Sequence, residues 1–333
     1  MRTRPQPYQC QWWRGGVGSP HRCQRRPHSH HFAVRHATAA GRARHGIYLH
    51  RRWRGLGAGA AARLRRGREA LKAHTIALGV EAVAARVPTL PPATHTNSYA
   101  LGQREVLLVE PATPYVDEQR AWLAWARGLS SRGRRPIALM LTHHHPDHIA
   151  GAALFARELA LPLWAHPLTA ARLGDTAVER LLHDGEVLTL AGPNPQRWHC
   201  LHTPGHAPGH MCWHEPSLNI AVVGDMVASV GTIVIDPSDG DMAAYLQQLR
   251  RLLALRLTIA LPAHGAPIAD PNAKFQQYIS HRLARETKIM AALRQLHPRA
   301  AVAGERGSSL DALLPLAYQT TPAWLWPLAK RSL

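Results

Sequence analysis

The chain has 333 residues, with 40 Lys and Arg against 21 Asp and Glu, and a formal net charge of +19. That charge is uneven: residues 1–68 hold sixteen Arg and no Lys, Asp or Glu, whereas residues 73–333 carry 23 basic and 20 acidic side chains. No run of about 18 apolar residues exists to span a membrane as a helix. The four Cys lack C-x-x-C spacing, which argues against a Cys-rich zinc motif and gives no disulfide framework.

The charge excess therefore belongs to residues 1–72, which form the first unit. Three readings of it stand side by side: a basic arm that binds nucleic acid, an Arg-rich targeting segment, or the product of a misassigned start or shifted frame in GC-rich coding DNA. Its aliphatic residues are too few and too irregular to bury a core, so it is expected to lack tertiary structure. No signal peptide is visible, and a reducing cytoplasm is the expected compartment.

From about residue 80 the pattern is α/β. Residues 80–87, 98–101 and 105–110 read as strands of a first sheet, and 117–131 as a helix with Trp122 and Trp125 as core contacts. Residues 137–141 are a short apolar run, a buried strand, and they lead directly into Thr142-His143-His144-His145-Pro146-Asp147-His148. In extended backbone, residues two apart share a face, so His143 and His145 can converge on one cation. Asp147 and His148, past the Pro146 bend, can reach a second.

Residues 149–159 read as a helix, 161–166 as a strand, and 196–203, 211–215 and 218–224 as a second antiparallel set. More ligand candidates sit where these runs end. His206 lies in the Pro- and Gly-rich loop 202–210, Asp225 closes the run 219–225, and His264 closes 257–265. Cys200 and Cys212, on either side of the His206 loop, read as small buried hydrophobes. Residues 241–255 form an amphipathic helix, 272–296 a long helix with Phe275, Ile279, Leu283, Met290 and Leu293 on its buried side, 298–308 a link, and 309–317 a shorter helix.

These residues resemble a metallo-β-lactamase-fold hydrolase from about residue 80 to near the C-terminus. The resemblance implies an αββα sandwich over residues 78–270. It also implies that His143, His145 and His206 hold one zinc, that Asp147, His148 and His264 hold the other, and that Asp225 bridges them. A bridging carboxylate is similar to the glyoxalase II, tRNase Z and β-lactamase-like protein 2 branches. Residues 240–246 and 276–282 are similar to the last of these, which carries a winged-helix-like domain. Residues 271–333 would be that domain, helical, small and incomplete at its end.

The chemistry implied is hydrolysis. Two zinc ions roughly 3.5–4 Å apart can share a hydroxide that is nucleophilic near neutral pH. Imidazole and carboxylate donors admit iron or manganese as well. Asp147, a ligand beside the nucleophile, is the candidate catalytic residue for moving the proton. Glu110, in Glu110-Pro111-Ala112, stands where many relatives have Asp, and is expected to support a ligating His one methylene farther out. His144 and His210 are candidates for orienting substrate or for supporting ligands.

The expected substrate is a phosphodiester or an ester-type bond (ester, thioester or lactam), on a small molecule or RNA, so an endoribonuclease and a thioesterase are both open; relatives in the β-lactamase-like protein 2 branch include an endoribonuclease. The stretch that follows Asp225 lacks the glyoxalase II pattern, which weakens a glutathione thioester. Two other readings stay open: nucleic-acid binding through the basic arm and the winged-helix remnant, and an inactive product of a damaged gene. The oligomeric state is left unassigned.

Overall fold

A computed structural model describes residues 71–296 and 309–331. The expectations for residues 1–70 and for the link 298–308 lie outside the described residues. Among the described residues no helix is long and apolar enough to cross a membrane.

Two sheets form the middle of the described residues. The first has seven strands in chain order: β1 (His74–Ala77), β2 (Val80–Arg86), β3 (His95–Leu101), β4 (Glu105–Val109), β5 (Arg135–Met140), β6 (Leu163–Ala165) and β7 (Arg180–Leu181). Strands β1 to β4 pair antiparallel and β4 to β7 parallel. The change of pairing explains the sequence. Strand β5, paired on both sides and covered on both faces, ends in continuous apolar residues, whereas β2 alternates more.

The second sheet holds β8 (Val187–Leu190), β9 (Gln196–His202), β10 (Met211–Glu215), β11 (Ile220–Gly224) and β12 (Ile259–Pro262) in the order β12-β11-β10-β9-β8. The three strands expected here, β9, β10 and β11, pair antiparallel, while β12 returns through a helical crossover and pairs parallel with β11.

Helices α1 (Val116–Ser131) and α3 (Ala152–Leu159) cover the outer face of the first sheet, where Trp122, Leu129 and Phe155 pack on Leu108 and Leu139. Trp122 stacks on Phe155 at 4.1 Å, so both expected Trp residues are core contacts. Between the sheets lie Tyr99, Leu107, Met140, Trp198 and Trp213. Helices α5 (Met242–Ala254) and α6 (Pro271–Leu296) cover the second sheet, with Tyr245, Leu249, Phe275 and Ile279 against Cys212 and Val223. These four layers are the expected αββα sandwich.

The expected helix 149–159 is divided. Pro146 opens a short turn, α2 (Pro146–Ile149), and the chain restarts at α3 after Gly151. A side chain at Gly151 would meet Pro111 O at 2.8 Å, so the backbone passes too close for a continuous helix of larger residues. A further turn, α4 (Pro167–Ala170), follows β6.

The C-terminal part is helical: the second half of α6, α7 (Leu310–Ala317) and α8 (Trp326–Lys330) gather Ala292, Leu313, Leu314 and Ala317 in a small cluster. Leu283 and Met290, expected to face inward on α6, are 40% and 44% exposed. Phe275 and Ile279 are buried as expected, and with Tyr278 and Arg282 they make an i, i+3, i+4, i+7 stripe.

Glu81 closes the far end of the first sheet. It is buried, and it accepts hydrogen bonds from Trp125 Nε1 (2.6 Å), Arg132 Nη1 (2.9 Å) and Arg134 Nη1 (3.1 Å). Burial alone would raise its carboxyl, but the hydrogen bonds from Arg132 and Trp125 hold it below the usual value of 4.5. A depressed carboxyl stabilises the fold fully above its unfolded value, and the contribution is lost as pH falls through the folded one. Glu81→Gln is therefore expected to cost about 1–3 kcal/mol in urea unfolding at neutral pH. The deficit should shrink in acid; one that stays constant down to pH ~3 would show that the ion pairs contribute nothing.

Candidate metal centre

The ends of four strands meet at one edge of the sandwich. His143 to His148 follow β5, His206 sits in the β9–β10 loop, and Asp225 and His264 follow β11 and β12. Cross-sheet hydrogen bonds hold these loops in place. Tyr99 OH donates to Pro262 O at 2.6 Å, Asn97 Nδ2 donates to Pro262 O and Gly265 O, and Thr96 Oγ1 donates to Asp147 O at 2.9 Å.

All seven expected ligands come together, in the groups that the resemblance implied. His143, His145 and His206 form one, with His143 Nε2 3.0 Å from His145 Nδ1 and 3.2 Å from His206 Nε2. Asp147, His148 and His264 form another, and Asp225 joins His143 and His148 in a third. The Asp225 carboxylate lies between the first two, with Oδ2 3.4 Å from His206 Nε2 and 3.7 Å from His148 Nε2, and Oδ1 3.4 Å from His264 Nε2.

The outward ring nitrogens decide what the inward ones can do. His206 Nδ1 is 2.9 Å from Val234 O, and His264 Nδ1 is 2.9 Å from His95 O. A carbonyl can only accept, so each Nδ1 carries the proton and leaves a lone pair on Nε2 when the ring is neutral. Asp239 Oδ2 does the same for His145 Nε2 at 3.0 Å, and Glu110 Oε2 for His148 Nδ1 at 2.8 Å. The fifth ring, His143, sets Nδ1 2.9 Å from Thr142 Oγ1. The inward lone pairs of His145 Nδ1 and His206 Nε2 thus converge on His143 Nε2 at 3.0 and 3.2 Å; a proton there can serve only one of them well, whereas a cation among the three serves all. Among the described residues His148 Nε2 and Asp225 Oδ1 are buried without a hydrogen-bond partner, as atoms that ligate a metal would be. The donor set, imidazole with carboxylate, fits zinc and also iron or manganese.

Electrostatics agree with this arrangement. Burial and the neighbouring imidazoles push His143 well down, and burial pushes His206 down to about 4, so both rings are neutral ligands at physiological pH. Burial would lower His148 too, but the carboxylates of Glu110, Asp147 and Asp225 raise it well above its ordinary value. Charges that favour a proton on Nε2 also favour a divalent cation there. Asp225 would be raised by burial, yet His264 and His148 hold it well below the usual carboxylate range.

Three further candidates are now placed. Glu110 is fully buried and adopts φ 61°; its second oxygen accepts from Thr142 N at 2.9 Å, tying β4 to the start of the His loop. His210 is fully buried, with Nδ1 2.8 Å from Thr203 Oγ1 and Nε2 accepting from Asp225 N at 3.1 Å. It orients the Asp225 backbone and is closed to substrate. Gly224, at φ 48°, makes room for that ring, since a side chain there would stand 2.6 Å from His210 Nε2. His144 Nε2 lies 3.1 Å from Asp239 Oδ2.

Asp239 is the site residue that the sequence reading did not name. It faces His144 and His145 together, with Arg172 Nε 3.6 Å from its other oxygen. Its only sequence signal is a turn-like Asp236-Pro237-Ser238-Asp239-Gly240 ahead of α5. Cys200 and Cys212 are buried with their thiols pushed up to about 12 by burial, inert as expected.

A sequence model of the metallo-β-lactamase superfamily matches residues 91–264, which is more than half of the chain and reaches the last ligand candidate. The chain belongs to the metallo-β-lactamase superfamily. It is 28% identical over 214 residues to the lactamase-like protein adaB of Aspergillus niger, a match that covers 63% of this chain and 62% of that protein's length. It is 29% identical over 231 residues to the atrochrysone carboxyl ACP thioesterase of Aspergillus chevalieri, covering 68% and 69%. A solved β-lactamase domain protein from Burkholderia ambifaria shares the fold, with a TM-score of 0.60 at 19% identity over 79% of this chain and 88% of that one.

Proposed function

We propose that this chain is a two-metal hydrolase, with zinc as the metal, that cleaves an activated acyl bond, foremost a thioester. The observation that carries the metal half is the inward convergence of ring nitrogens, four of which, on His145, His148, His206 and His264, are made lone-pair donors by acceptor-only outward partners. The acyl half is supported by similarity to proteins named as ACP thioesterases. The helices after His264 support placement beside the β-lactamase-like protein 2 branch.

Bound between the two groups, the metal would supply Lewis acidity and a water acidified toward neutral pH. The chain's own residues do the rest. Asp225 sets its two oxygens toward opposite groups. Asp147, 17% exposed and within 3.8 Å of both His148 and His264, is the carboxylate that can take a proton from the reacting water and pass it to the departing group. Glu110, Asp239, Val234 O and His95 O hold the imidazoles in the binding tautomer.

The test joins metal analysis to a substrate panel. Purified full-length protein should carry about two zinc ions per chain. Among an acyl thioester, an aryl ester, a chromogenic phosphodiester, single-stranded RNA and a β-lactam, the thioester should lead in kcat/KM by roughly tenfold or more. Folded protein with half an equivalent of metal or less would overturn the two-metal reading. RNA or phosphodiester in first place would overturn the acyl reading.

A further inference from the structure

We infer that the cavity between the loop before α5, helix α5 and the middle of α6 is a binding site for a carboxylate with an apolar body, a fatty or aromatic acid. It encloses about 500 Å³, within the range of small-molecule sites. Ile235 of the loop, Met242 and Leu246 of α5 and Met290 of α6 give it an apolar wall. Met290 is 44% exposed, so this wall is uncovered apolar surface rather than closed core.

The polar side of the cavity is what selects the ligand. Arg282 lines it and is only 8% exposed, yet its Nε is buried without a hydrogen-bond partner. Its Nη2 is spent on Thr232 Oγ1 (3.2 Å) and Ile233 O, and the guanidinium also lies over the Tyr245 ring at 5.6 Å and meets its hydroxyl. Arg285, also lining the cavity, stacks on Tyr318 at 3.8 Å and donates to Ala317 O. Among the described residues neither guanidinium has a carboxylate partner. A buried guanidinium without an ion-pairing carboxylate is costly.

Glu286 is the one acid at the cavity, so the two guanidiniums leave one positive charge in excess. A singly charged head with a hydrocarbon or ring body satisfies both sides. Inorganic phosphate would carry more charge and leave the apolar wall wet. The cavity also shares its loop with the metal centre, since Val234 and Asp239, which hold His206 and His145, flank the wall residues Ile235 and Pro237. The inference stands without the hydrolase reading, because its test is binding alone.

The test is calorimetric titration of the full chain with decanoate, and with decanol as the uncharged comparator. Decanoate should bind at one site per chain and roughly tenfold or more tighter than decanol. Arg285→Met should weaken decanoate by a similar factor, and Ala243→Trp, which fills the cavity, should abolish its binding. Neither variant touches the His cluster, so decanoate that coordinates metal would survive both. Equal binding of decanoate and decanol, no binding of decanoate, or full affinity in both variants of a folded protein would overturn the assignment. Arg282→Met adds a second reading of the charge, with melting checked first, because Arg282 also ties residues 232 and 233.

Discussion

Asp225→Ala is expected to lower bound metal from about two ions per chain to one or fewer, and turnover of any accepted substrate by about a thousandfold. Asp225 is the one carboxylate with an oxygen toward each group, 3.4 Å from His206 on one side and from His264 on the other. Its charge is secure, since His264 and His148 hold the carboxyl well below the ordinary range in spite of burial. Without it, no carboxylate would stand between the two groups, and the repulsion of two cations held there would lose its main offset. Asp225→Asn keeps the size and one acceptor but not the charge, so it should fall nearly as far. Structure should survive in both variants, because the backbone N–H at position 225 still donates to His210. Elemental analysis and circular dichroism on the same samples check the result. A folded Asp225→Ala protein that retains two ions and its activity would remove Asp225 from the centre.

Why this centre could be read from the sequence, and parts of its support could not, follows from what each residue depends on. His143, His145, Asp147 and His148 lie within one turn-bearing stretch behind an apolar strand, so local spacing alone brings them together. Asp225 and His264 are far apart in sequence, but each ends a run whose apolar character marks a central strand. Parallel pairing of β11 with β12 then sets both ends at the same edge. Asp239 has no such marker: a carboxylate in a Pro- and Gly-containing turn looks alike whether it faces water or an imidazole.

The backbone acceptors Val234 O and His95 O are still less visible, because any residue supplies a carbonyl. Two positions on helix α6 mislead for a different reason. Besides Phe275 and Ile279, its apolar residues suggest Leu283 and Met290, but the buried stripe runs through Tyr278, whose hydroxyl meets Ala228 N, and Arg282, whose Nη2 donates to Thr232 and Ile233. The short strands β1 and β7, with four and two residues, fall below the length at which alternation can be recognised.

Glu110→Gln is expected to weaken metal binding by roughly 10–100-fold while leaving the fold largely in place. The wild-type carboxylate accepts two hydrogen bonds at once, from Thr142 N at 2.9 Å and from His148 Nδ1 at 2.8 Å. Glutamine has one oxygen and one NH2, so it can satisfy only one of these donors. If the oxygen stays on Thr142, the NH2 faces His148 Nδ1, which must become the acceptor. The proton then moves to Nε2, the nitrogen that points at Asp147 and Asp225, and that nitrogen can no longer ligate. If the oxygen turns to His148 instead, two buried donors face each other at Thr142, at a cost of about 1–3 kcal/mol. Glu110→Asp keeps the charge and both acceptors but is one methylene short, so it should fall between wild type and Glu110→Gln. Competition against a chromophoric zinc chelator measures the affinity, and melting of the metal-free protein separates ligation from folding. Unchanged zinc affinity in Glu110→Gln would mean that His148 does not bind through Nε2, and the second group of the centre would then have to be rebuilt without it.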